Sequence, residues 1–223
     1  AIGSTDVPVA LIEAVHARGI PVVQVYGATE TSPTAIYQTA DIATATVGSI
    51  GRAGSRCEIR ITGDDGTELP VGEVGEIRVR GDNILTRYWN NEAASAESIV
   101  DGWFRTGDMA RLDADGLYWF ADRLKHVIIS GGENIYPAEL ERVLADFDGL
   151  TEFAIVGRDD PRWGQVPVVV AARSGPTVTG DAVLAHFEGR IARFKRPKDV
   201  VFVEALPRNA LGKVVAAEVR ALL

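Results

Sequence analysis

Tyr26, Thr29 and Glu30 stand within one five-residue segment, Tyr-Gly-Ala-Thr-Glu. A nucleoside triphosphate site needs a flat face for the base, a hydroxyl near phosphate and a carboxylate for Mg²⁺, and these three side chains supply them. Further along, Thr106-Gly-Asp108 offers a carboxylate on a glycine-containing turn, able to accept from both hydroxyls of a ribose. Asp122-Arg-Leu-Lys125 contributes Arg123, a fixed cation suited to a ribose or phosphate oxygen. In Ser130-Gly-Gly-Glu-Asn134, Gly131 and Gly132 allow a thin ligand to approach the backbone. Pro207-Arg-Asn-Ala-Leu-Gly-Lys213 ends on a lysine that can stabilise charge growing on a phosphate. It is not a Walker A loop, because no Ser or Thr follows Lys213. Taken singly, each segment has an ordinary explanation: a strand end, a turn acid, connector cations, a turn before a helix, a surface lysine.

Taken together and in this order, the five segments resemble the adenylate-forming superfamily of acyl-CoA synthetases, luciferases and peptide-synthetase adenylation domains. The resemblance covers nearly the whole chain and implies ATP, Mg²⁺ and coenzyme A as ligands of the parent enzyme. It implies that Tyr26 stacks on adenine beside Gly27, that Thr29 lies near the phosphates and that Glu30 holds the metal. Asp108 and Arg123 then serve the nucleotide, Lys125 is the hinge, Gly131 and Gly132 border the pantetheine tunnel, and Lys213 meets the α-phosphate. Gly3-Ser4-Thr5 resembles the adenine-binding turn that precedes the Tyr26 segment. Two further stretches, Asp160-Pro-Arg-Trp-Gly164 and Phe194-Lys-Arg-Pro-Lys198, resemble the segments that meet the CoA nucleotide. There Trp163 or Phe194 would pack on the adenine while Arg196 and Lys198 pair with phosphates. Asn209 stands where the family often has Thr.

The activity implied is acyl- or aryl-CoA ligation in two steps. A carboxylic acid attacks the α-phosphate of ATP to give an acyl-adenylate and pyrophosphate, and the CoA thiol then displaces AMP. The alternatives are an adenylation domain serving a carrier protein, or a non-catalytic nucleotide- or CoA-binding module. The family's Gly/Ser/Thr-rich phosphate loop has no counterpart in the sequence. The expectation is therefore the C-terminal part of a longer synthetase, inactive alone, with the N-terminal part of the same protein as its partner.

Composition sets the wider limits. The 223 residues carry a net charge of -8, which argues against a nucleic-acid partner, and no apolar run spans a bilayer. The single cysteine, Cys57, fits a reducing cytoplasm and has no evident base partner. His16, His126 and His186 share no metal-ligand spacing, and a homodimer is compatible with the composition. Against the acidic background, residues 190–198 hold five cations and no acid, which reads as a local basic patch.

The elements that must position these groups follow from periodicity. Residues 4–18 have helical spacing, with Thr5 or Asp6 as cap and Pro8 in the first turn, and residues 20–26 form an apolar run suited to a buried strand. Residues 58–62 and 76–80 alternate as half-exposed strands, with turn signals at 64–66 and 113–116. Tyr88, Trp89, Trp119 and Phe120 read as core of this β-rich part. Beyond Asp122 come an apolar stretch at 127–129, a flexible break at Gly131-Gly132 and a helix opened by Pro137, with Leu140, Val143, Leu144 and Phe147 on one face. A strand at 166–172, a helix marked by Val183, Leu184, Phe187 and Ile191, and a strand at 200–203 complete the reading. The fold class is α/β. Residues 1–124 form the end of a large adenylate-binding domain, α/β to about residue 50 and β-rich from 51. Residues 125–223 form a small mobile α+β domain.

Overall fold

The computed structural model describes residues 1–3, 7–210 and 212–223. The expected contributions of Ser4, Thr5 and Asp6 lie outside those residues. Two compact units divide the chain, Ala1–Leu124 and Lys125–Leu223.

The first unit opens with α1 (Val9–His16), shorter than its periodicity predicts because Pro8 takes the N-cap position. Three short strands follow around a helical turn: β1 (Val25–Tyr26), β2 (Ile36–Tyr37), α2 (Ala40–Ala43) and β3 (Arg52–Ala53). They pair antiparallel in the order β1-β2-β3. The run at 20–26 is thus a strand only at its end. Ile20 is exposed, and Ile2–Gln24 is the sole parallel bridge on that side among the described residues.

The second sheet contains β4 (Cys57–Thr62), β5 (Val74–Gly81), β6 (Ile99–Val100), β7 (Trp103–Leu112) and β8 (Tyr118–Arg123), with α3 (Glu92–Ser98) between β5 and β6. Its order is β4-β5-β7-β6, and β8 pairs with the other part of β7. Both sheets of this unit share one core. Ala35 and Ile36 pack with Ile61, Ile77, Val79, Ala110 and Tyr118, so residue 50 is not a core boundary. Tyr118 seals the junction through backbone bonds to Ile50 and Gly51. Trp89 departs from expectation. It is 82% exposed, because it lies on the connection to α3 outside both sheets.

The second unit is one five-stranded sheet with helices on both faces. Its elements are β9 (Ile128–Ser130), β10 (Glu133–Ile135), α4 (Pro137–Leu144), β11 (Leu150–Asp160), β12 (Gly164–Arg173), α5 (Gly180–His186), β13 (Asp199–Phe202) and α6 (Ala216–Arg220). β12 is central, antiparallel to β11 and parallel to β13. Alternation along β11 and β12 sends Ile155, Val169 and Ala171 towards α4, α5 and Phe187. The intervening Ala154, Val156 and Val170 meet Leu206 and Val219. A strand covered on both faces reads as a continuous apolar run, which is why 166–172 is legible. β11 goes unread, since its apolar stretch Phe153–Val156 is short and flanked by Glu152 and Asp159.

Candidate active site

A cleft of about 400 Å³ in the first unit is lined by Gly27, Ala28, Glu30, Tyr88, Asp108 and Arg123, among others. Its floor begins where β1 ends. A Cβ on Gly27 would come 1.7 Å from the Pro33 carbonyl oxygen, so only glycine lets the chain double back here. The turn Thr29–Thr31 is fixed from within by the buried Thr31 hydroxyl. That group accepts from the Ala28 N–H at 2.9 Å and lies 3.0 Å from the Ala28 and Pro33 carbonyl oxygens. From outside, the Leu85 N–H donates to the Glu30 carbonyl and the Asn83 side chain donates to that of Thr31, both at 2.9 Å. Thr29 is exposed and is not among the residues that line the cleft.

Asp108 lies on β7, not on a turn as its Thr-Gly-Asp setting suggests. The register between β5 and β7 shifts between Glu76 and Arg78, opposite Gly107, whose φ is +68°. Such an irregularity re-aims a side chain without ending the strand. The bulge rests on Glu76, a buried carboxylate that accepts from the Gly107 N–H at 3.1 Å and from Arg105 Nε at 3.1 Å. Thr106 Oγ1 ties it again, donating to the Ile77 carbonyl at 2.8 Å and accepting from the Asp108 N–H at 3.1 Å. The Asp108 carboxylate is then gripped on both oxygens. Tyr26 OH donates to Oδ2 at 2.8 Å, and Arg123 Nε lies 3.2 Å from Oδ1. Burial, reinforced by the negative charge of Asp108, pushes the Tyr26 hydroxyl far above the usual tyrosine range, so it remains a donor.

Two participants escape the sequence reading. Tyr88, expected in the core, lines the cleft and donates its hydroxyl to Glu30 Oε1 at 2.9 Å. Burial, then the bond to Glu30, raises its pKa. Its backbone is held by Ser95 in the first turns of α3, which Asn91 caps through the Ala94 N–H. The other is Glu76, whose partners stand 29 and 31 positions away. A tyrosine beside a capped helix is a faint signal for the first; nothing local announces the second. Gly3 is absent from the cleft lining and abuts β1 instead, where a Cβ would meet the Val25 carbonyl oxygen at 2.6 Å.

In the second unit, Gly131-Gly132 forms no flexible break. It is the two-residue turn of a hairpin pairing Ser130 with Glu133, with φ of +61° and +87°. Positive φ at both central positions is what this tight turn demands. Trp163 lies against it. The Gly131 N–H donates to the Trp163 carbonyl at 2.7 Å, and a Cβ on Gly131 would approach the indole to 2.9 Å. Lys125, Trp163, Phe194 and Lys198 are all exposed. Three of the five cations in the basic run at 190–198 lie near an acid, two of those acids being distant in sequence. Arg190 pairs with Asp146 at 2.8 Å and Lys195 with Glu139 at 2.7 Å, while Arg196 lies 3.8 Å from Glu188. Lys213 is exposed on a loop closed by Asn209, whose Oδ1 accepts the Lys213 N–H at 3.0 Å.

Cys57 is half-buried and donates to the Ala35 carbonyl at 3.2 Å; burial raises its pKa, the opposite of an activated thiol. None of the described helices is long and apolar enough to cross a membrane.

Residues 1–89 match the family model of the AMP-binding enzymes, and residues 139–213 match that of the AMP-binding enzyme C-terminal domain. The chain belongs to the AMP-binding enzyme family. The resemblance carried by the five segments, and the adenylate-forming fold expected from it, are borne out. This AMP-binding chain is 53% identical over 222 residues to the indoleacetate–CoA ligase of Aromatoleum aromaticum, covering 99% of the chain and 44% of that protein. It is 42% identical to the 2-succinylbenzoate–CoA ligase of Bacillus cereus, covering 100% of the chain and 46% of the relative. The o-succinylbenzoate CoA synthetase of Bacillus subtilis, solved with its acyl-adenylate intermediate, superposes with a TM-score of 0.91 at 36% identity. That match covers 98% of the chain and 45% of the solved one. The AMP-binding chain thus spans less than half the length of these relatives.

Proposed function

We propose that the protein carrying this chain is an acid–thiol ligase. It would convert an aromatic carboxylic acid, ATP and CoA into the aryl-acyl thioester, AMP and pyrophosphate. The observation that carries this reading is that Glu30, Asp108 and Arg123 line one cleft, with Tyr26 donating to the Asp108 carboxylate and Arg123 paired with it. An aromatic acid is favoured because the relatives at 53% and 42% identity are named for indoleacetate and 2-succinylbenzoate.

In this reading Asp108 accepts the ribose hydroxyls, Arg123 supplies a cation beside it, and the exposed Thr29 hydroxyl meets phosphate oxygens. Tyr26 stacks on the base, as the family resemblance implies. Mg²⁺ is normally bound through one or two carboxylates plus substrate phosphates, and Glu30 and Glu97 are both in the cleft lining. When bound, the ion neutralises phosphate charge. Tyr88 orients the Glu30 carboxylate by holding one oxygen and leaving the other open. Lys213 stabilises charge on the α-phosphate during adenylate formation, and the Gly131-Gly132 turn borders the path of the CoA thiol, with Trp163, Phe194, Arg196 and Lys198 towards its nucleotide end. Residues 1–124 then end the large domain and 125–223 form the mobile one, with Lys125 as hinge, a reading supported by the division of the chain at Leu124–Lys125. The unpaired single cysteine supports a cytoplasmic setting.

The test is pyrophosphate release by the full-length natural protein with Mg·ATP and a panel of aromatic and aliphatic acids, with and without CoA. Release with one aromatic acid, and AMP production that requires CoA, is the expected result. Release without any response to CoA would transfer the acceptor role to a carrier protein, and no release with any acid would sink the ligase reading.

A further inference from the structure

The loop that carries Lys213 is a small exposed ribbon. Its arms are joined by an Arg208–Val214 bridge, by Asn209 N–H to the Lys213 carbonyl at 2.9 Å, and by Val215 N–H to the Pro207 carbonyl at 3.0 Å. Gly212 turns it with φ of +77°. Arg208, Asn209, Gly212, Lys213 and Val214 are all exposed, and a two-stranded ribbon with no buried face is marginal in water. Something must hold its shape.

Glu152, on β11, reaches the ribbon twice. One carboxylate oxygen accepts from the Leu206 N–H at 2.7 Å, just where the buried Leu206 leaves the core. The other accepts from Arg208 Nη2 at 2.5 Å. The second terminal nitrogen of the same guanidinium crosses the ribbon and donates to the Gly212 carbonyl at 2.8 Å, one residue before Lys213. Arg208 therefore links β11, the ascending arm and the far arm in a single planar group. A lysine, with its donors on one atom, cannot serve two separated acceptors in the same way. These bonds also hold the Glu152 carboxyl below the usual glutamate range, with Arg208 the larger cause and the Leu206 N–H the second.

We propose that Arg208, anchored on Glu152, is a positioning residue that preforms the loop presenting Lys213. This rests on the adenylate role assigned above to Lys213. The cross-link stiffens the carrier of the lysine while adding little to the stability of the unit, because an ion pair this exposed contributes little globally.

The test uses Arg208→Ala and Arg208→Lys in the full-length natural protein. Three readouts are needed: amide exchange at Gly212 and Lys213, the melting temperature, and the two half-reactions measured separately. For Arg208→Ala the expected results are about tenfold or more faster exchange at both amides, since charge-assisted bonds are lost. Pyrophosphate release should fall about tenfold, thioester formation from supplied acyl-adenylate should be unchanged, and melting should hardly move. Arg208→Lys should fall between wild type and alanine on exchange and on pyrophosphate release. Unchanged exchange, or an equal fall in both half-reactions, overturns the proposal, as does faster exchange with undiminished pyrophosphate release. Should the alanine variant melt early, the lysine variant carries the same comparison. Undiminished pyrophosphate release in Lys213→Ala would instead overturn the role of the lysine itself, an outcome separable from loop order because exchange is read without catalysis.

Discussion

The Asp108 cleft and the Lys213 loop hold a charged side chain by opposite means. Asp108 is buried in a strand, and its two carboxylate oxygens meet a tyrosine hydroxyl and a guanidinium that come from β1 and β8. Its backbone is braced by the buried Glu76. Lys213 is exposed on a ribbon whose described side-chain bonds include those of Arg208 and Asn209, close by in sequence, and of Glu152 on β11. In the cleft a polar contact is part of the fold, because desolvated partners have no water to fall back on. In the loop a polar contact governs only local order. On the function proposed above, the group that orients the ligand is built into the sheet, whereas the group that has to be delivered is mounted on a carrier that can be tuned separately.

The difference can be broken in several ways. Removing core volume acts most strongly: Phe187→Ala, at a ring with no exposure, should cost the second unit about 3–5 kcal/mol by denaturant unfolding. A loss under about 1 kcal/mol would mean that this core can collapse around the gap. Gly27→Ala should cost the first unit about 1–3 kcal/mol or more, through collision with the Pro33 carbonyl. Tyr26→Phe should cost about 1–3 kcal/mol by leaving the buried Asp108 short of a donor, and AMP affinity should fall with it. Calorimetric titration checks this. Unchanged stability and affinity would place the cleft in the same category as the loop.

Acidification probes the loop. The Glu152 carboxyl has its pKa lowered in the folded protein, so its contribution is complete above the ordinary glutamate value of about 4.3 and is lost as pH falls through the lowered one. Exchange at Gly212, corrected for the intrinsic pH dependence, should therefore quicken only below that ordinary value. The smallest effect is expected at Trp89. Exposed at 82%, it should change stability by no more than about 0.5 kcal/mol on replacement with alanine.

Local chemistry was legible in the sequence, and long-range support was not. Tyr26, Glu30, Asp108 and Arg123 announce themselves by type and spacing; the last three line one cleft, and Tyr26 is tied to it through Asp108. Pro137 opens its helix as predicted, and the doubly covered β12 reads as an unbroken apolar run. The failures share a cause. Glu76 supports Gly107 across 31 positions, and Tyr88 bonds Glu30 across 58, so neither leaves a local pattern. The run at 190–198 reads as an uncompensated basic patch because Asp146, Glu139 and Glu188, which lie near three of its five cations, are outside that window. Asp108 looked like a turn residue because Gly107 signals positive φ equally well in a turn and in a bulge.

The turn at Gly131-Gly132 makes handedness an experimental variable. No atom lies within 4 Å of where a Cβ on Gly132 would point, so the glycine is required by its backbone angle and not by crowding in the protein alone. An L-residue there would strain the hairpin even with no ligand present. A D-alanine introduced by chemical ligation would fit the same angle while projecting a methyl group. Paired L- and D-substitutions at this one position would therefore separate a reshaped turn from an obstructed passage.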